Sequence, residues 1–432
     1  MVDVRYVSTG GSAPRTDLRT ALFRGLAPDG GLYMPQPLVP FTQRELDALR
    51  GGPLRQTAVA VGERLLDGGL STEMLEAVWQ DGLNFPIPLI ELSERVFVLE
   101  VFHGPTLAFK DVGARCMARL MAKLARTEGQ SLTVLVATSG DTGGAVAHAF
   151  YGLAGTRVVV LFPEGQVSPF QEQQFTTLGG NVIAVAVQGT FDDCQRLAKE
   201  ALANDALRSE LRLTSANSIN VGRLLPQVCY FVHAWAQLPP GAGRLIVSVP
   251  SGNFGNLTAG LLAKRIGVPI DRFVAATNVN DVVPDYLETG TFEPRPSVRT
   301  ISNAMDVGNP SNFPRMLALY GGDWGAMRRD VIGHTSDDAE TRACIARVHD
   351  RFGYVVDPHS AVGLLGLETA VGEHAAAAGI VVATAHPCKF AEVVEPVIGR
   401  AIEPPAWYAM PDTARRDVAR IRGSLNELVA IL

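Results

Sequence analysis

The stretch "LTVLVATSGDTGGAVAHAF", residues 132–150, joins an apolar, β-branched run to a glycine-rich polar turn and then to a helical pattern. A continuous apolar run of this length is typical of a strand that is buried on both faces, as in parallel sheets. Glycines let the backbone approach a ligand, and the free amides at a helix start bind anions. The stretch therefore predicts a parallel α/β sheet with an anion site at a strand end.

The same alternation of strand and helix continues along much of the chain. Residues 1–92 differ, because they combine turn-rich segments with helical patterns at 43–50, 55–66 and 72–82. Together the patterns predict two doubly wound, mostly parallel α/β domains after a mainly helical N-terminal domain. The further runs that predict buried strands lie at 96–101, 156–162, 181–187, 244–249, 273–277 and 379–385.

The domain division follows from these changes of pattern. We expect an N-terminal domain over 1–92, a catalytic core over 93–400 and a helical C-terminal closure over 401–432. Within the core, the segment "QLPPGAGR", residues 237–244, predicts the crossing between the two α/β halves, since proline and glycine mark loops. Apolar residues between Val418 and Val429 predict one closing helix over the last twenty residues.

Composition excludes several classes of function. The 432 residues carry a net charge of -6, which gives no electrostatic case for binding nucleic acid. No apolar run approaches the roughly 20 residues that a membrane-spanning helix needs, and the N-terminus lacks a signal-peptide pattern. The five cysteines are widely spaced without a Cys-x-x-Cys pair, which indicates reduced thiols in a cytoplasmic protein. His359 and His386 lack a second histidine at ligand spacing, so we expect no metal site.

A lysine at a helix start is the least ordinary feature of the chain. Lys110, in "FHGPTLAFKDVGAR" (102–115), stands where the partial positive charge of a helix start lowers the pKa of an amine. A second glycine-rich turn follows a predicted strand in "SVPSGNFGN" (248–256), and neither turn has a dinucleotide or ATP/GTP-loop signature. A neutral amine near two anion-binding turns suggests Schiff-base chemistry on a phosphorylated carbonyl cofactor such as pyridoxal phosphate.

These segments resemble the successive signature segments of the threonine synthase family, in the family's order from about residue 20 to about 400. The resemblance implies the fold of pyridoxal phosphate enzymes similar to the tryptophan synthase β chain. It also implies conversion of O-phospho-L-homoserine and water to L-threonine and phosphate, the last step of threonine biosynthesis, by a monomer or homodimer. The other matching segments are "TLGGNV" (177–182), "NSINVGRLLPQ" (217–227), "AATNVNDVVP" (275–284), "SNAMDVGNPSN" (302–312) and "ATAHPCKF" (383–390).

The resemblance also implies roles for individual residues. Lys110 matches the lysine that carries pyridoxal phosphate, and Thr384 matches the hydroxyl residue that faces the pyridine nitrogen. The 252–256 turn, through Gly252, Asn253, Phe254 and Asn256, matches the loop that holds the cofactor phosphate. The 139–142 turn, Ser139, Gly140, Asp141 and Thr142, matches the loop for the substrate α-carboxylate, with Asp141 shaping the turn. The candidates for binding the substrate phosphate are Asn217, Ser218, Arg223 and Lys389.

Other interpretations stay open at this point. Each turn taken singly fits an ordinary tight connection, and a threonine in a buried strand is commonly a packing residue. A sibling lyase, such as a serine or threonine dehydratase, would share fold and cofactor without needing a pocket for a substrate phosphate. A catalytically silent binding protein would be expected to lose Lys110 or Thr384, and both are present. A nucleotide-binding oxidoreductase would need the dinucleotide fingerprint that is missing.

Overall fold

The N-terminal region combines a small antiparallel strand pair with helices. The computed structural model describes residues 4–66, 70–126, 131–241, 243–372, 377–408 and 418–432. Strands β1 (Arg5–Ser8) and β2 (Tyr33–Gln36) pair antiparallel. The helices that the 43–50, 55–66 and 72–82 patterns predict are confirmed, because the helices of this region are α1 (Leu18–Arg24), α2 (Gln43–Leu49), α3 (Leu54–Leu65) and α4 (Thr72–Gly82).

The first strands of the core lead directly to Lys110. Strand β3 (Leu89–Ser93) pairs antiparallel with β4 (Val96–Glu100), and α5 (Lys110–Arg126) follows. The chain then alternates strand and helix as the sequence predicts. In chain order these elements are β5 (Leu132–Ala137), α6 (Asp141–Phe150), β6 (Thr156–Pro163), α7 (Pro169–Thr176), β7 (Val182–Val187), α8 (Phe191–Ala203), α9 (Asp205–Leu211) and β8 (Leu213–Ser215).

The remaining elements complete the two sheets. They are α10 (Val221–Leu224), α11 (Val228–Gln237), β9 (Leu245–Pro250), α12 (Gly255–Arg265), β10 (Arg272–Thr277), α13 (Val282–Thr289), α14 (Phe313–Leu319), α15 (Trp324–Asp330), β11 (Val331–Thr335), α16 (Asp338–Phe352), α17 (Pro358–Gly372), β12 (Ala378–Ala383), α18 (Ala391–Ile398), β13 (Val418–Ile421) and α19 (Leu425–Val429). Short 3₁₀ turns lie at Leu225–Gln227, Asn303–Met305 and Pro387–Phe390.

Two mostly parallel sheets form the core, which confirms the predicted fold class. The six-stranded sheet has the order β11-β10-β9-β12-β4-β3, and every pair in it is parallel except β3 with β4. The five-stranded sheet has the order β13-β7-β6-β5-β8 and is parallel throughout. Strands such as β5 and β9 are buried at every residue, which explains their continuous apolar sequence.

The strand order brings the ends of three strands together. β12 lies between β4 and β9, with Ala383 opposite Glu100 in the register. Parallel strands have their carboxyl ends at the same edge of the sheet, where ligands bind in folds of this kind. The segments that follow β4, β9 and β12, which carry Lys110, the 252–256 turn and Thr384, therefore start side by side.

Part of the predicted C-terminus is wrong. Val418–Ile421 forms β13, parallel to β7, and only Leu425–Val429 is helical; residues 413–417 of the predicted helix lie outside the described residues. Val418 and Ile421 have helical spacing, but the exposed edge of β7 offers hydrogen-bond partners along a whole strand. The short strands β8 and β11 were likewise not predicted, since three to five residues give little periodicity.

The segment 237–244 connects α11 to β9. It lies within the stretch that leads from β8 of the five-stranded sheet to β9 of the six-stranded sheet. The crossing at 237–244 stays a prediction. The boundaries 1–92, 93–400 and 401–432 stay a prediction. In the described ranges, no helix combines the length and apolarity that crossing a bilayer requires.

Candidate active site

The backbone holds Lys110 next to Thr384. Beyond β4, the Phe109 amide donates to the Thr384 carbonyl at 2.8 Å, and the His386 amide donates to the Leu107 carbonyl at 3.0 Å. These bonds form an isolated antiparallel bridge between Ala108 and Ala385, beyond the ends of β4 and β12. Lys110 then begins α5, as the sequence predicts. Lys110 and Thr384 are therefore held near each other by backbone hydrogen bonds of this bridge, independently of side-chain rotamers.

The Lys110 ammonium group is mostly enclosed. Its side chain is 18% exposed, and burial lowers the pKa of Lys110, with the nearby cations Lys389 and Arg223 acting in the same direction. The Asp141 carboxylate, 3.6 Å away, raises the pKa but does not cancel the effect of burial. Burial thus shifts the pKa of Lys110 in the same direction as the helix start to which the sequence pointed.

The 252–256 turn keeps its amides free. In the described part of the chain, no carbonyl or side chain accepts the N–H groups of residues 252–256, which lead from β9 into α12. Phe254 is in the left-handed region with φ 60°. A Cβ on Gly252 would lie 2.8 Å from the carbonyl oxygen of Ala304 and 2.8 Å from Cα of Met305. Glycine is needed here because this backbone packs closely, and the unused amides form a cradle for an anion.

The predicted side chains of this turn support its shape. The Asn256 side chain donates to the Pro250 carbonyl at 2.7 Å and accepts from the Leu257 amide at 3.0 Å. Asn253 Oδ1 accepts from the amide of Ser311 at 3.2 Å and from its hydroxyl at 3.0 Å. Phe254 is buried. These side chains are used within the protein, so the backbone of the turn is what remains for a phosphate.

A segment behind this turn was missed by sequence reasoning as a functional element. Ala304, which packs on Gly252, donates its amide to His359 Nε2 at 3.1 Å. Since Nε2 accepts, Nδ1 of His359 carries the hydrogen and donates to the buried Asp357 at 2.7 Å. Residues 302–312 thus back the 252–256 turn. The available signals were the "SNAMDVGNPSN" motif and a buried histidine that was weighed only as a metal ligand.

The 139–142 turn is shaped by a residue just before it. The Thr138 hydroxyl accepts from the Gly140 amide at 2.9 Å and the Gly143 amide at 2.8 Å. Across the described ranges, no group accepts the amides of Ser139, Asp141 and Thr142. These free amides and the exposed Ser139 side chain suit a carboxylate.

Asp141 has a different position from the one expected. Its Oδ1 accepts from Lys389 Nζ at 2.8 Å and from Gln171 Nε2 at 2.9 Å, while Oδ2 faces Lys110. The neighbouring cations hold the pKa of Asp141 well below its ordinary value despite burial. The hydrogen bonds that shape the turn come from Thr138, whereas the Asp141 carboxylate lies within ion-pair distance of Lys389 and Lys110, so a role for Asp141 in shaping the turn stays a prediction that these contacts do not support.

Lys389 is buried within the protein. Its side chain is 0% exposed, and Nζ donates to the Thr106 carbonyl at 2.7 Å and to Gln174 Oε1 at 3.2 Å as well as to Asp141. An ammonium group has three N–H donors, so these acceptors use them all. The geometry therefore argues against the predicted role of Lys389 as a ligand of the substrate phosphate. Gln171 and Gln174 were also missed, since a glutamine in a helix carries no sequence signal.

Of the other candidates for the substrate phosphate, Asn217 lies beside the 139–142 turn. Asn217 donates to the Ala137 carbonyl at 3.0 Å, at the end of β5 and next to the 139–142 turn. Arg223 is 4% exposed and donates Nη1 to the Ala216 carbonyl at 2.7 Å, and burial lowers its pKa to about 10. Its buried Nε has no partner in the described ranges, and the Ser218 carbonyl accepts from Arg315 Nη1 at 3.1 Å. A phosphate role for these residues stays a prediction.

The edge fits a phosphorylated aldehyde. An amine whose pKa is lowered, a row of free amides and the Thr384 hydroxyl, which has no partner in the described ranges, suit the aldehyde, phosphate and ring nitrogen of pyridoxal phosphate. Within the same ranges, no group of three or more His, Cys, Asp and Glu is placed to hold a metal ion. A surface groove of about 500 Å³ near Phe41 and Arg64 belongs to the N-terminal region and shares none of these residues.

Comparison with known proteins identifies the family of this chain. Residues 5–82 match the threonine synthase N terminus model, and residues 82–385 match the model of pyridoxal-phosphate dependent enzymes. The threonine synthase of Serratia marcescens is 45% identical over 400 residues, which cover 90% of each chain. The crystal structure of threonine synthase from Escherichia coli superposes with a TM-score of 0.91 at 39% identity and covers 99% of both chains. The pyridoxal phosphate-bound threonine synthase from Brucella melitensis gives 0.92 at 36% identity, covering 99% of this chain and 98% of that one. The chain belongs to the threonine synthase family of pyridoxal phosphate-dependent enzymes.

Proposed function

We propose that this protein converts O-phospho-L-homoserine and water to L-threonine and phosphate, with pyridoxal phosphate as cofactor. The observation that carries the proposal is the meeting of Lys110, the free amides of residues 252–256 and Thr384 at one sheet edge, in a member of this family. The similar proteins named threonine synthase support the choice of reaction. We place the enzyme in the cytoplasm, as a monomer or homodimer.

The cofactor would be held by groups that the protein leaves unused. Lys110 provides the amine, and the amides of residues 252–256 receive the phosphate. The Thr384 hydroxyl can donate to an unprotonated ring nitrogen, which a carboxylate would instead keep protonated. Bound pyridoxal phosphate supplies an electron sink that stabilises negative charge on the attached substrate.

Lys110 is also the proton carrier of the proposed reaction. Elimination of phosphate and addition of water require protons to be removed from, and returned to, substrate carbon atoms. An amine does this best when its pKa is near the working pH, and the lowered pKa of Lys110 moves it in that direction. Ser139, Asp141 and Thr142 would hold the substrate carboxylate through their amides. Arg223, with Asn217 and Ser218, is the candidate for the departing phosphate, a role that suits a guanidinium group.

The principal experiment measures phosphate release and threonine formation from O-phospho-L-homoserine. Lys110→Ala should lose the visible absorbance of the bound cofactor and at least about 10²–10⁴-fold in turnover. Lys264→Ala is the matched control, since this lysine pairs with Asp330 at 2.8 Å away from the site, and it should keep both. Wild-type turnover in Lys110→Ala would contradict the proposal. Faster release of ammonia from serine than of phosphate from phosphohomoserine would favour the dehydratase alternative.

Arg223 tests the substrate phosphate separately. Arg223→Ala should remove a charge-assisted contact worth roughly 1.5–3 kcal/mol, or about ten- to a hundredfold in kcat/KM for phosphohomoserine. A slow side reaction with serine, which carries no phosphate, should keep its rate. Equal losses with the two substrates would mean that Arg223 supports the structure and that the phosphate binds elsewhere.

A further inference from the structure

The two oxygens of the Asp141 carboxylate have unequal surroundings. Oδ1 is held by Lys389 Nζ at 2.8 Å and by Gln171 Nε2 at 2.9 Å. Oδ2 lies 3.6 Å from Lys110 Nζ, beyond hydrogen-bond distance, and no other group in the described ranges donates to it. One oxygen is therefore fixed by two hydrogen bonds, and the other faces Lys110.

Lys389 is held rigidly on the far side of Asp141. It donates to the Thr106 carbonyl and to Gln174 Oε1, and Gln174 in turn donates to the Thr106 carbonyl and to the Tyr408 hydroxyl, each at 3.2 Å. The pair is enclosed, with 0% of the Lys389 side chain and 5% of the Asp141 side chain exposed. Removing one member of a buried ion pair leaves the other charge uncompensated. Because both lysines face Asp141, the pKa of each depends on whether the other is present.

Several other charged or titratable groups face this cluster without hydrogen bonding to Asp141 in the described ranges. Lys110 interacts electrostatically with the positive charge of Arg223 on α10, and Asp141 interacts electrostatically with His359 on α17. Lys389 interacts electrostatically with Asp111 on α5 and with His148 on α6. Both of these residues also interact electrostatically with Arg115 on α5. Asp141 alone of these groups lies within ion-pair distance of Lys110. The Lys389–Asp141 pair is thus the nearest charged neighbour of the reactive amine.

We propose that Asp141 is the counter-ion that receives Lys110 as a free ammonium group, and that Lys389 is a positioning residue that fixes and partly neutralises Asp141. With Lys389 in place, Lys110 faces a nearly neutral ion pair and can release its proton. Without Lys389, Lys110 would face a full negative charge and would stay protonated. The inference rests on the proposed function only in that Lys110 is taken as the cofactor-binding amine.

The experiment follows covalent capture of pyridoxal phosphate by the full-length chain after its cofactor has been removed, over a range of pH. Capture forms a C=N bond between Lys110 Nζ and the aldehyde carbon. The aldehyde oxygen leaves as water with the two amine hydrogens, and no oxidant or reductant is consumed. Only the neutral amine has the lone pair for this bond, so the midpoint of the rate against pH reports the protonation of Lys110. The readout is the rise of visible absorbance, which is independent of turnover.

Opposite shifts are expected from the two partners. Lys389→Met should move the midpoint upward by about one pH unit or more, and Asp141→Asn should move it downward by a similar amount, as expected for charges within ion-pair reach. The double variant should return toward the wild-type midpoint, and Lys389→Arg should keep it. Lys264→Met removes a paired lysine elsewhere and should leave the midpoint unchanged.

Shifts of the same sign in the two variants, or unchanged midpoints in both, would overturn the proposal. If Lys389→Met does not fold, Asp141→Asn alone tests the proposal, because an asparagine of the same shape can still accept a hydrogen bond from Lys389. A midpoint that stays or rises in Asp141→Asn would then refute the proposal. Lys110→Ala separates this result from a failure of the proposed function. If that variant captures the cofactor as the wild type does, the assignment of Lys110 is wrong, whatever the other variants show.

Discussion

The 139–142 turn and the 252–256 turn look alike in sequence and differ in electrostatics. Each joins a fully buried strand to a helix through small and polar residues. The 252–256 turn has no charged residue, and its amides stay free. In the 139–142 turn, Thr138 occupies the amides of Gly140 and Gly143, and Asp141 brings a buried carboxylate toward two lysines. One turn offers a backbone cradle, while the other combines a smaller cradle with a charge cluster.

This difference separates cofactor binding from the control of protonation. A cradle of amides attracts an anion at any pH at which the anion is charged. A buried carboxylate between two ammonium groups makes the charge of each depend on the others. Changes in the first turn should therefore alter cofactor affinity, and changes in the second should alter substrate binding and pH dependence.

The largest effect is expected from Gly252→Val. The added Cβ would lie 2.8 Å from backbone atoms of Ala304 and Met305, so the turn must shift and its amides lose their alignment. We expect pyridoxal phosphate affinity to fall on the order of a hundredfold, since overpacking commonly costs 1–3 kcal/mol and sometimes more. A spectroscopic titration measures it. Gly372→Val is the control, because a Cβ there meets nothing within 4 Å; equal affinities in the two variants would show that the turn is only a connection.

Asp111 extends the comparison to a buried carboxylate that has no cation within ion-pair distance in the described ranges, although Lys389 and Arg115 act on it from farther away. It accepts from the amide and hydroxyl of Thr106, each at 2.8 Å, and burial raises its pKa to about 6 from 3.8, whereas the pKa of Asp141 is lowered. The folded state therefore holds the Asp111 proton more tightly than the unfolded chain does. Its contribution to the free energy of unfolding should fall by about 2 kcal/mol as pH rises from about 4 to about 7.

Asp111→Asn should lack this fall when denaturant unfolding is measured across that pH range. Asp141 does not obscure the test. Its stabilising contribution is complete above its ordinary pKa of 3.8 and is lost only in stronger acid, as pH falls toward its lowered folded value. If wild type and Asp111→Asn showed the same pH dependence between about 4 and 7, the carboxyl would titrate in the folded state as it does in the unfolded chain.

Thr138→Val addresses the 139–142 turn alone. Losing the hydroxyl leaves the Gly140 amide without its acceptor, which should cost about 1–3 kcal/mol in the free energy of unfolding and raise KM for phosphohomoserine. Cofactor affinity should change little. Thr214→Val is a matched control on the neighbouring strand β8, because that buried hydroxyl has no partner in the described ranges and its loss should be neutral or stabilising. A loss of cofactor affinity equal to that of Gly252→Val would erase the distinction between the turns.

The smallest effect is expected from Ser311→Ala. It removes the hydroxyl that donates to Asn253 Oδ1 at 3.0 Å but keeps the amide that donates at 3.2 Å. The contact is exposed, so we expect about 0.5–1 kcal/mol in cofactor affinity. Titration beside wild type gives the value. A change as large as that of Gly252→Val would mean that the 252–256 turn depends on this side chain more than on close backbone packing.

Much of the architecture could be predicted from local patterns. A continuous apolar sequence predicts buried strands such as Leu132–Ala137 and Leu245–Pro250, because both faces of these strands pack against helices. Lys110 at a helix start and the two glycine-rich turns could also be predicted from local sequence, because a turn of this kind needs particular residues at particular places. The strand Val418–Ile421 was not predicted, because a four-residue edge strand is determined by its pairing with β7 and not by the hydrophobic period of its own sequence.

The roles of the charged residues needed the folded chain. Lys389 follows Asp141 by more than two hundred residues, and nothing in "ATAHPCKF" indicates that its ammonium group is buried against that carboxylate. Nor does the sequence show that Thr138 shapes the turn or that His359 backs Gly252 through Ala304. Residue type and spacing determine which groups a segment can offer, because backbone preferences are local. Burial and distance determine which groups are charged and which are free, and these arise only when β4, β9, β12 and the end of β5 bring distant segments together.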